Sequence, residues 1–519
     1  MRTRRQIVTG LLGAPALVGL APKTDRPIAG GFVFESQERG HRVRDKAAYR
    51  PPAEAKRSPV VIVGGGMAGL CAAWRLEKKG FRDFVLLEME PQAGGNSRFG
   101  ENEVSAYPWG AHYIPVPNTE SVLVREILTE FGAFADGQWE ERFLCHSPQE
   151  RLYIHGRWQE GIEPEIGATK ADHGEYQRFL GRVAELRATG AFTIPMALGE
   201  GKGGAALAEL DRQSFAAWLD REGFRSPYLR WLCDYSTRDD YGAALGEASA
   251  WAGLHYFAAR EHEEKGPLTW PEGNGWLLRK LTAKLGRYIR TGQLVRRVAR
   301  RGTAWQVDTE GASWTADAVI FAAPTYLAPH IIEGFAPLPT LSYSPWVVSN
   351  LTLHRIPPGA EEIAWDNVIY GSPALGYVSA THQSLRTRIE KTVWTHYWAL
   401  AGAEPRQVRR EMLASSWESW RDRVIQDIRR AHPRIEECIE RVDIFRNGHA
   451  MSRPGVGLRG SPDLRRLREG MPGLQFAHAD LSGFSIFEEA QYWGVQAADR
   501  VLRRLGGSEK KSDRANQRI

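Results

Sequence analysis

The stretch VVIVGGGMAGL, residues 60–70, decides the fold of this chain. Its first four residues are β-branched and predict a short buried strand, and the run Met67–Lys79 predicts a helix. Gly64, Gly66 and Gly69 follow the strand at GxGxxG spacing. In this motif the first glycine makes the tight turn, the second lets the backbone approach a pyrophosphate, and the third lets helix and strand pack closely. The stretch therefore predicts a dinucleotide site with phosphates at the helix N-terminus.

A second apolar strand, FVLLE, follows this helix and ends at Glu88. A carboxylate at this position accepts hydrogen bonds from an adenosine ribose. Strand, helix and strand together have the length of one βαβ unit. A structural βαβ unit that holds no nucleotide is the alternative.

The composition is that of a globular protein with more than one domain. The chain has 519 residues, 42% of them hydrophobic and 25% charged, which suffices for two or more buried cores. Its net charge of +6 is modest, and the densest internal basic run, VRRVARR at 295–301, contains no aromatic residue. A solvated strand explains this run better than a nucleic-acid interface, so we expect no nucleic-acid partner.

The cysteines indicate neither a zinc site nor a redox motif. There is no CxxC pair and no His/Cys spacing typical of a metal site, so no metal is expected. Cys71 lies in the predicted nucleotide-binding helix and is interpreted as a packing residue. A disulfide between two of the cysteines stays an open alternative. The cysteines are Cys71, Cys145, Cys233 and Cys438.

The N-terminus, MRTRRQIVTGLLGAPALVGLA, resembles a twin-arginine export signal. Arg4 and Arg5 precede the apolar stretch Ile7–Ala21, which is short for a membrane span and is interrupted by Pro15. We expect the twin-arginine machinery as a partner, a periplasmic or otherwise exported location, and no stable membrane anchor in the mature chain. A disordered, arginine-bearing N-terminus is the alternative.

Beyond the first motif, the patterns alternate between helix and strand. Helical spacing at 119–133 and 170–222 is followed by strands within 292–323. The tryptophan-rich segment 341–400 alternates in polarity and predicts a second, antiparallel sheet. One long helix is expected at 405–430, and a last helix from Glu488 to Leu505.

Four separated motifs together resemble the flavin-containing amine oxidase family, which has the glutathione-reductase-like FAD fold. The first is the βαβ unit ending at Glu88, and the second is the doublet Gly94-Gly95 in EMEPQAGGNSRFG. The third is AVIFAAP at 318–324, and the fourth is LQFAHADLSGFSIFEEAQYWGVQAADRVL at 474–502. The doublet and the acidic C-terminal motif are absent from simple NAD dehydrogenases. The resemblance therefore implies FAD as the cofactor.

The resemblance also implies the fold class: α/β, with a Rossmann-like FAD-binding domain and an inserted α+β substrate domain. The expected order is a signal peptide (1–22), an arm (23–58), a first FAD-binding segment (59–140), a helical substrate segment (141–265), a second FAD-binding segment (266–335), a substrate segment of sheet and helix (336–440), a third FAD-binding segment (441–505) and a disordered tail (506–519).

Family membership would also specify the FAD contacts. Val295 would lie beside the adenine, and Asp480 would reach the ribityl and pyrophosphate region. Asn96 stands where the family usually has an arginine, and we expect Arg98 to take over that phosphate contact. The full expected set is Gly64, Gly66, Met67, Ala68, Gly69, Glu88, Gly94, Gly95, Asn96, Arg98, Val295, Asp480 and Phe487.

Three departures from the family pattern bear on the chemistry. The segment Ser342–His354 contains no lysine, although the family's active-site lysine usually lies there. Ile486 aligns with a tyrosine of the family's aromatic cage, with Phe484 and Phe487 nearby. The region Phe445–Gly457 lacks the cysteine that binds FAD covalently in some members, so we expect non-covalent FAD. An amine is the family's default substrate, but these residues do not support it.

The segment YPWGAHYIPVP at 107–117 supplies the catalytic candidates. In the family it passes along the flavin towards the substrate cavity. We expect Trp109 and Tyr113 to form the cavity wall and His112 to act as the acid–base group, since imidazole titrates near neutrality. A neutral histidine that orients the backbone is the alternative for His112.

Four further residues have a structural and a functional interpretation. Trp270, in LTWPEGNGWL, either approaches the cavity or is buried in a tight turn. Glu488 and Glu489 open the last helix, where the dipole favours carboxylates, and capping is preferred to catalysis. His478 is expected to pack near the pyrophosphate.

These observations predict a FAD-dependent oxidoreductase that oxidises a small organic substrate by hydride transfer to flavin N5. Two alternatives stay within related folds, a carotenoid-type desaturase and an isomerase. A flavin-binding protein without catalytic activity belongs to a different class.

Overall fold

The computed structural model describes residues 27–45, 49–50, 52–260, 266–360, 364–384 and 388–516. The predicted signal peptide lies outside these residues. Among the helices of the described ranges, none has the length and hydropathy that crossing a membrane requires.

A five-stranded parallel sheet forms the centre of the nucleotide-binding domain. Its middle strand, Val60–Val63, is buried on both faces, as expected for a parallel strand covered by helices. Val60 and Ile62 belong to one hydrophobic core, and Val61 and Val63 to the other. In spatial order the strands are Ile289–Arg290, Phe84–Leu87, Val60–Val63, Ala318–Phe321 and Leu474–Phe476.

The helix Met67–Lys78 follows the glycine turn and ends in a glycine motif. Gly80 has a φ of +82°, and its N–H donates to the carbonyl of Glu77 at 2.9 Å. The N–H of Phe81 donates to the carbonyl of Leu76 at 3.0 Å. This pair of bonds is a Schellman motif, which stops the helix where the sequence predicts.

An eight-stranded sheet forms the second domain. Its long strand Tyr343–Leu353 is buried throughout and pairs with antiparallel neighbours on both sides. In spatial order the strands are Ala29–Val33, Ile439–Ser452, Tyr343–Leu353, Thr392–Ala399, Tyr377–Ser379, Asp366–Ile369, Glu150–Ile154 and Arg157–Glu160.

Smaller sheets and the helices complete the described chain. A four-stranded sheet contains Val295–Arg301, Ala304–Thr309, Ser313–Ala316 and Ala55–Arg57. Two-stranded sheets join Tyr113–Ile114 with Leu268–Thr269, Phe99–Glu101 with Ala106–Pro108, and Phe134–Ala135 with Gln138–Trp139. The α-helices are Gln37–Arg44, Met67–Lys78, Val122–Glu130, Lys170–Ala188, Gly204–Leu210, Phe215–Arg221, Pro227–Tyr241, Ala250–Ala258, Gly275–Leu285, Ala328–Ile331, Pro405–Ala414, Trp417–Ile428, Pro462–Glu469 and Phe487–Asn516.

The mixed α/β architecture with an inserted sheet confirms the predicted fold class, but two segments differ from their expected places. The strand Ile439–Ser452 belongs to the eight-stranded sheet, so the third FAD-binding segment starts after it rather than at 441. The expected helix at 405–430 is two helices, because Ser416 caps a new one: its side chain accepts from the N–H of Ser419 at 3.2 Å.

Both ends of the described chain contain more secondary structure than the sequence predicts. The expected arm contains the strand Ala29–Val33, which pairs in parallel with Ile439–Ser452. It also contains Ala55–Arg57, which joins the four-stranded sheet. The final helix continues to Asn516, into the segment predicted as a disordered tail. Sequence composition missed the strands because their partners lie far along the chain.

Candidate active site

A cavity lies at the carboxyl ends of the parallel strands, where ligands bind in open α/β sheets. Val63, Leu87 and Phe476 are the last residues of three of these strands, and the segments that follow each of them contribute to the cavity wall. We call it the cofactor cavity. Its wall includes eleven of the expected contacts: Gly64, Gly66, Met67, Ala68, Glu88, Gly94, Gly95, Asn96, Val295, Asp480 and Phe487.

The glycine motif leaves space for a ligand between two loops. Gly64 has a φ of +106°, and a Cβ there would lie 2.6 Å from the nitrogen of Ala323. A Cβ on Gly66 would meet only the Cα of Gly95, at 4.0 Å. Gly69 does not line the cavity; a Cβ on it would lie 2.0 Å from the carbonyl oxygen of Gly64, so this glycine allows helix and strand to pack.

The carboxylate of Glu88 is held in place at the end of its strand. Its Oε2 accepts from the N–H of Gly65 at 2.7 Å, and its Oε1 accepts from the N–H of Glu90 at 2.8 Å. Burial raises the pKa of Glu88, and the two backbone donors oppose that rise. The arrangement presents an oriented acceptor to a ribose hydroxyl.

Asp480 is fully buried and lines the cofactor cavity. Its Oδ2 accepts from the hydroxyls of Thr325 at 2.7 Å and Tyr343 at 2.8 Å. Burial favours the neutral acid, but His478 and these hydroxyls outweigh burial and lower the pKa of Asp480. Its Oδ1 lies 3.1 Å from Nδ1 of His478 and accepts no other hydrogen bond from the described residues. An ionised, buried acceptor that lines the cavity fits the hydroxyl-rich ribityl chain of a flavin.

Arg98 does not line the cofactor cavity, and its expected phosphate contact stays a prediction. Its guanidinium carbon lies 4.4 Å from the ring centre of Phe34 and 5.0 Å from that of Phe445, outside the cavity wall. Asn96 does line the cavity, and its Nδ2 donates to the carbonyl of Ala450 at 2.6 Å. Asn96 thus ties the glycine doublet to the substrate-domain sheet.

Two smaller chambers extend from the cofactor cavity into the substrate domain. The first chamber shares some of its wall with the cofactor cavity, namely Asn96, Ala111, Ala450, Ser485, Ile486 and Phe487. The second chamber shares another wall with the first: His112, Tyr113, Pro115, Ile194, Asp239, Arg260 and Glu488. Their volumes are about 130 and 230 Å³, which is about ten to twenty times what a single water needs.

His112 lines both chambers and is packed as a neutral ring. It stacks on Tyr397 with ring centres 4.6 Å apart, and its Nδ1 lies 3.3 Å from the carbonyl oxygen of Gly110. Burial lowers the pKa of His112 to about 4. This placement favours the alternative interpretation, a histidine that is neutral at physiological pH.

The aromatic candidates divide between the chambers and the core. Trp109 lines the first chamber and Tyr113 lines both. Trp270 does not line them; it stacks on Trp276 with ring centres 4.6 Å apart. Phe484 packs in the helical core against Trp251, whereas Ile486 and Phe487 line the first chamber.

Buried carboxylates surround the chambers, and most of them were not predicted from the sequence. Asp239 and Asp240 end the helix Pro227–Tyr241, and Glu488 begins the final helix. Glu150 and Asp366 line the second chamber. The Asp-Asp pair near a helix end was the only local signal, because these acids are brought together by folding alone.

The protonation of these acids differs from that of surface carboxylates. Burial, followed by the neighbouring charge of Asp240, raises the pKa of Asp239 to about 7. Burial likewise raises the pKa of Glu488 to about 7. Asp240 instead forms an ion pair with Arg260 and accepts from the hydroxyl of Tyr113 at 3.1 Å.

Glu488 and Glu489 have different environments despite their adjacency. Glu489 faces away from the chambers; its Oε1 accepts from the N–H of Met196 at 2.6 Å and its Oε2 from the hydroxyl of Ser482. Glu488 is 3% exposed and lines both chambers. Of these two glutamates, only Glu488 is therefore placed to contact a substrate.

Within the described residues, all four cysteines are free and buried. No group of three or more histidine, cysteine, aspartate or glutamate side chains there has the arrangement of a metal site.

Comparison with known proteins identifies the family. The sequence profile described as flavin containing amine oxidoreductase matches residues 67–502. The chain belongs to this family. The expectation of a FAD-dependent oxidoreductase is thereby confirmed, because the match covers both domains that form the site.

Solved structures share the fold of this flavin-containing amine oxidoreductase. Wild-type putrescine oxidase bound to putrescine is 16% identical, with a TM-score of 0.67 over 86% of this chain and 100% of that one. Cyclohexylamine oxidase from Brevibacterium oxydans IH-35A is 15% identical, with a TM-score of 0.65 over 86% and 99%. The fatty acid isomerase from P. acnes that produces CLA is 14% identical, with a TM-score of 0.64 over 85% and 98%.

A curated relative matches a shorter region. The Baeyer-Villiger monooxygenase peniC of Penicillium patulum is 29% identical over 133 residues, which are 25% of this chain and 20% of that protein. The chain thus matches a fifth of the length of this relative.

Proposed function

We propose that this protein uses non-covalently bound FAD to oxidise an amine. The observation that carries the proposal is the first chamber, which adjoins the cofactor cavity and is lined by Asp239, Asp240 and Glu488. A protonated amine is stabilised by such buried carboxylates, whereas an anionic substrate is repelled. Among the described residues that line the chamber, the one cation is Arg260, and it is already paired with Asp240.

The cofactor cavity supports FAD held without a covalent bond. Gly66 and Gly95 would bring backbone close to the pyrophosphate, Glu88 would accept from the ribose, and the Oδ1 of Asp480 would accept from the ribityl chain. Among the described residues that line the cavity there is no cysteine. FAD, when bound, would supply the two-electron acceptor for the hydride of the amine C–H bond, and water would hydrolyse the resulting iminium to a carbonyl product and ammonia or an amine.

The residues of the chain bind, orient and deprotonate the substrate. Tyr397, His112 and Trp109 form an aromatic wall that excludes water from the donor carbon. The ammonium must lose a proton before hydride can leave, and we assign that proton to the carboxylate of Glu488. Its pKa of about 7 suits a base that works near neutrality. His112, with a pKa of about 4, is a weaker base.

Anaerobic mixing tests this function. Primary amines are expected to bleach the flavin absorbance, because two electrons pass to the flavin in each reaction. Fatty acids and polyenes of similar size serve as the comparison and are expected to leave the flavin oxidised. Bleaching by a polyene or fatty acid, with none by amines, would refute amine oxidation. Acid precipitation should release FAD into the supernatant; flavin retained on the precipitate would refute non-covalent binding.

A further inference from the structure

Asn274 occupies the N-cap position of the helix Gly275–Leu285 but does not cap it. Asparagine is preferred at an N-cap because its side-chain oxygen accepts from a backbone N–H of the first turn. Ser249 and Ser416 make such a bond in their own helices. Asn274 has a φ of −64° and a ψ of −4° and makes none. The helix therefore does not use the side chain that this residue type usually contributes to it.

The side chain of Asn274 is buried with an unpaired acceptor. The residue is 1% exposed and lines the first chamber, and its Oδ1 accepts no hydrogen bond from the described residues. Leaving a buried polar group unpaired costs free energy, and such groups are uncommon in native proteins. The Oδ1 of Asn274 is therefore a candidate acceptor for a ligand that donates hydrogen bonds.

The other two asparagines that line the first chamber are already bonded. The Nδ2 of Asn96 donates to the carbonyl of Ala450 at 2.6 Å, and its Oδ1 accepts from the Nδ2 of Asn447 at 3.2 Å. The Oδ1 of Asn447 accepts from the N–H of His449 at 3.2 Å. These two amides hold neighbouring segments together, whereas Asn274 has its acceptor available to a substrate.

Asn274 lies at the end of the first chamber that adjoins the cofactor cavity. Its backbone N–H donates to the carbonyl of Ala111 at 3.1 Å. Ala111 lines both the first chamber and the cofactor cavity, whereas Asn274 does not line the second chamber. A group bound to Asn274 is thus next to the cofactor, where the reacting carbon has to lie.

Two glycines fix the backbone on either side of Asn274. Gly273 has a φ of +58°, and a Cβ on it would lie 2.6 Å from the Cα of His112. A Cβ on Gly275 would lie 2.6 Å from the ring of Phe99. Because both neighbours are in close contact with other segments, the side chain of Asn274 is presented from a rigid turn, and a ligand does not have to order it on binding.

Glu488 is the second acceptor of this chamber. It is 3% exposed and lines the chamber wall, and it is the base assigned above. The chamber has a volume of about 130 Å³, so it admits one small ligand, and the acceptors on its wall face the same bound group. Asn274 and Glu488 come from different helices, so together they can hold a ligand nitrogen from two directions.

From this geometry we propose that Asn274 positions the substrate: its Oδ1 accepts one N–H of the substrate amine while Glu488 accepts another. This inference rests on the proposed amine oxidation and adds a positioning residue to it. A nitrogen held at two points cannot rotate freely, and the C–H bond beside it keeps one direction relative to the cofactor cavity.

Amines differ in the number of N–H groups that they can donate. A primary ammonium has three, a secondary ammonium two and a tertiary ammonium one. A tertiary amine can therefore donate to Asn274 or to Glu488 but leaves the other buried acceptor unpaired. Methylation of the substrate nitrogen thus probes the second hydrogen bond.

The test compares n-butylamine, n-hexylamine and benzylamine with their N-methyl and N,N-dimethyl derivatives by anaerobic flavin reduction. The dependence of the rate on amine concentration gives a dissociation constant and a limiting rate. In wild type, each N,N-dimethyl amine is expected to bind about 10- to 100-fold more weakly than its primary parent, because it lacks one charge-assisted hydrogen bond. The N-methyl derivatives should bind nearly as tightly as the parents.

Asn274→Leu separates the hydrogen bond from the effect of methyl bulk, because it removes the acceptor at similar side-chain volume. It is expected to weaken the binding of primary amines about 10- to 100-fold and that of N,N-dimethyl amines far less. Asn274→Asp keeps an acceptor and should bind primary amines more tightly than Asn274→Leu. Asn274→Ala is the second variant, should Asn274→Leu lose flavin or fold. Gln407→Leu is the matched control: it removes an exposed amide bonded to Glu411 and should change none of the constants.

The outcomes separate this contact from the proposed function. An equal loss for primary and N,N-dimethyl amines in Asn274→Leu and Asn274→Ala would overturn the contact and indicate a structural role. Unchanged binding of primary amines in both variants would also overturn it. In either case amine oxidation by the wild-type enzyme still stands. If no amine bleaches the wild-type flavin, amine oxidation fails and the role of Asn274 fails with it.

Discussion

At the residue scale, a substitution at Gly66 distinguishes an effect on ligand binding from an effect on folding. Its φ is −72°, which any residue adopts, and a Cβ on it meets no protein atom closer than 4.0 Å. Gly66→Leu is therefore expected to fold but to lose its flavin, because the side chain occupies the space of the pyrophosphate. The measurement is the ratio of flavin absorbance to protein absorbance after purification, with circular dichroism as the check on folding.

The control for this change is Gly286→Leu, since a Cβ on Gly286 meets nothing within 4 Å and its φ is −51°. This control should remain yellow. A fully flavin-loaded Gly66→Leu protein would show that the glycine motif does not approach the cofactor.

As alternative catalytic bases, Glu488 and His112 predict different pH dependences for the rate of flavin reduction. Burial raises the pKa of Glu488 to about 7, and Asp240 and Glu489 also raise it, whereas Arg260 lowers it. A base works in its ionised form, so the rate of flavin reduction should rise as pH increases through about 7. Glu488→Gln should lower this rate by about 10²–10⁴-fold and remove that rise.

His112→Ala is the comparison, because the imidazole is already neutral above a pH of about 4. The variant is expected to keep the rise near pH 7, even if loss of the stack on Tyr397 weakens substrate binding. If His112→Ala removes the rise and Glu488→Gln retains it, the base is His112.

At the scale of elements, the cap at Ser416 explains why the single helix expected at 405–430 is divided into two helices. The chain Pro405–Ile428 has helical composition, yet Ser415 leaves the helix with a ψ of +137° and Ser416 caps the next one. Ser416→Ala removes a cap acceptor and should lower the free energy of unfolding by about 1 kcal/mol. Chemical denaturation measures this change.

Ser419→Ala is the matched control, since only the backbone N–H of Ser419 takes part in the cap. Alanine has the higher helix propensity, so this variant should be neutral or slightly more stable. Equal destabilisation by both substitutions would contradict the capping role of Ser416.

At the scale of the whole molecule, the proposed export signal can be tested without disturbing the fold. Arg4 and Arg5, outside the described residues, form the pair that a twin-arginine receptor would read. Changing both to lysine keeps the charge, and we expect flavin-loaded protein to accumulate in the cytoplasm. Fractionation followed by flavin fluorescence measures this. Undiminished export of the double variant would contradict a twin-arginine signal.

Changing Arg2 alone to lysine provides the control, because it lies outside the Arg4-Arg5 pair. Its export should match that of the wild-type chain. A loss of export in this control would indicate that total N-terminal charge, rather than the arginine pair, is recognised.

Contiguous motifs of the sequence determined the nucleotide-binding half of the protein. The strand Val60–Val63, the glycine turn and Glu88 lie within one βαβ unit, so local spacing predicts this unit and the wall residues Gly64, Gly66 and Glu88. The other expected contacts that line the cavity were implied by the family resemblance. The same contiguity placed the end of the helix at Gly80, where the backbone requires a positive φ. The motifs that indicate the family are likewise contiguous stretches of sequence.

Only the tertiary structure decided the direction of Arg98 and the contents of the substrate chambers. Arg98 packs against Phe34 and Phe445, two residues that are distant in sequence and brought together by pairing of the N-terminal strand. Glu150, Asp366 and Glu488 come from three separate elements, and none has a local pattern that marks its burial. Their chemistry depends on desolvation and on one another's charge, and these arise only when the chain folds.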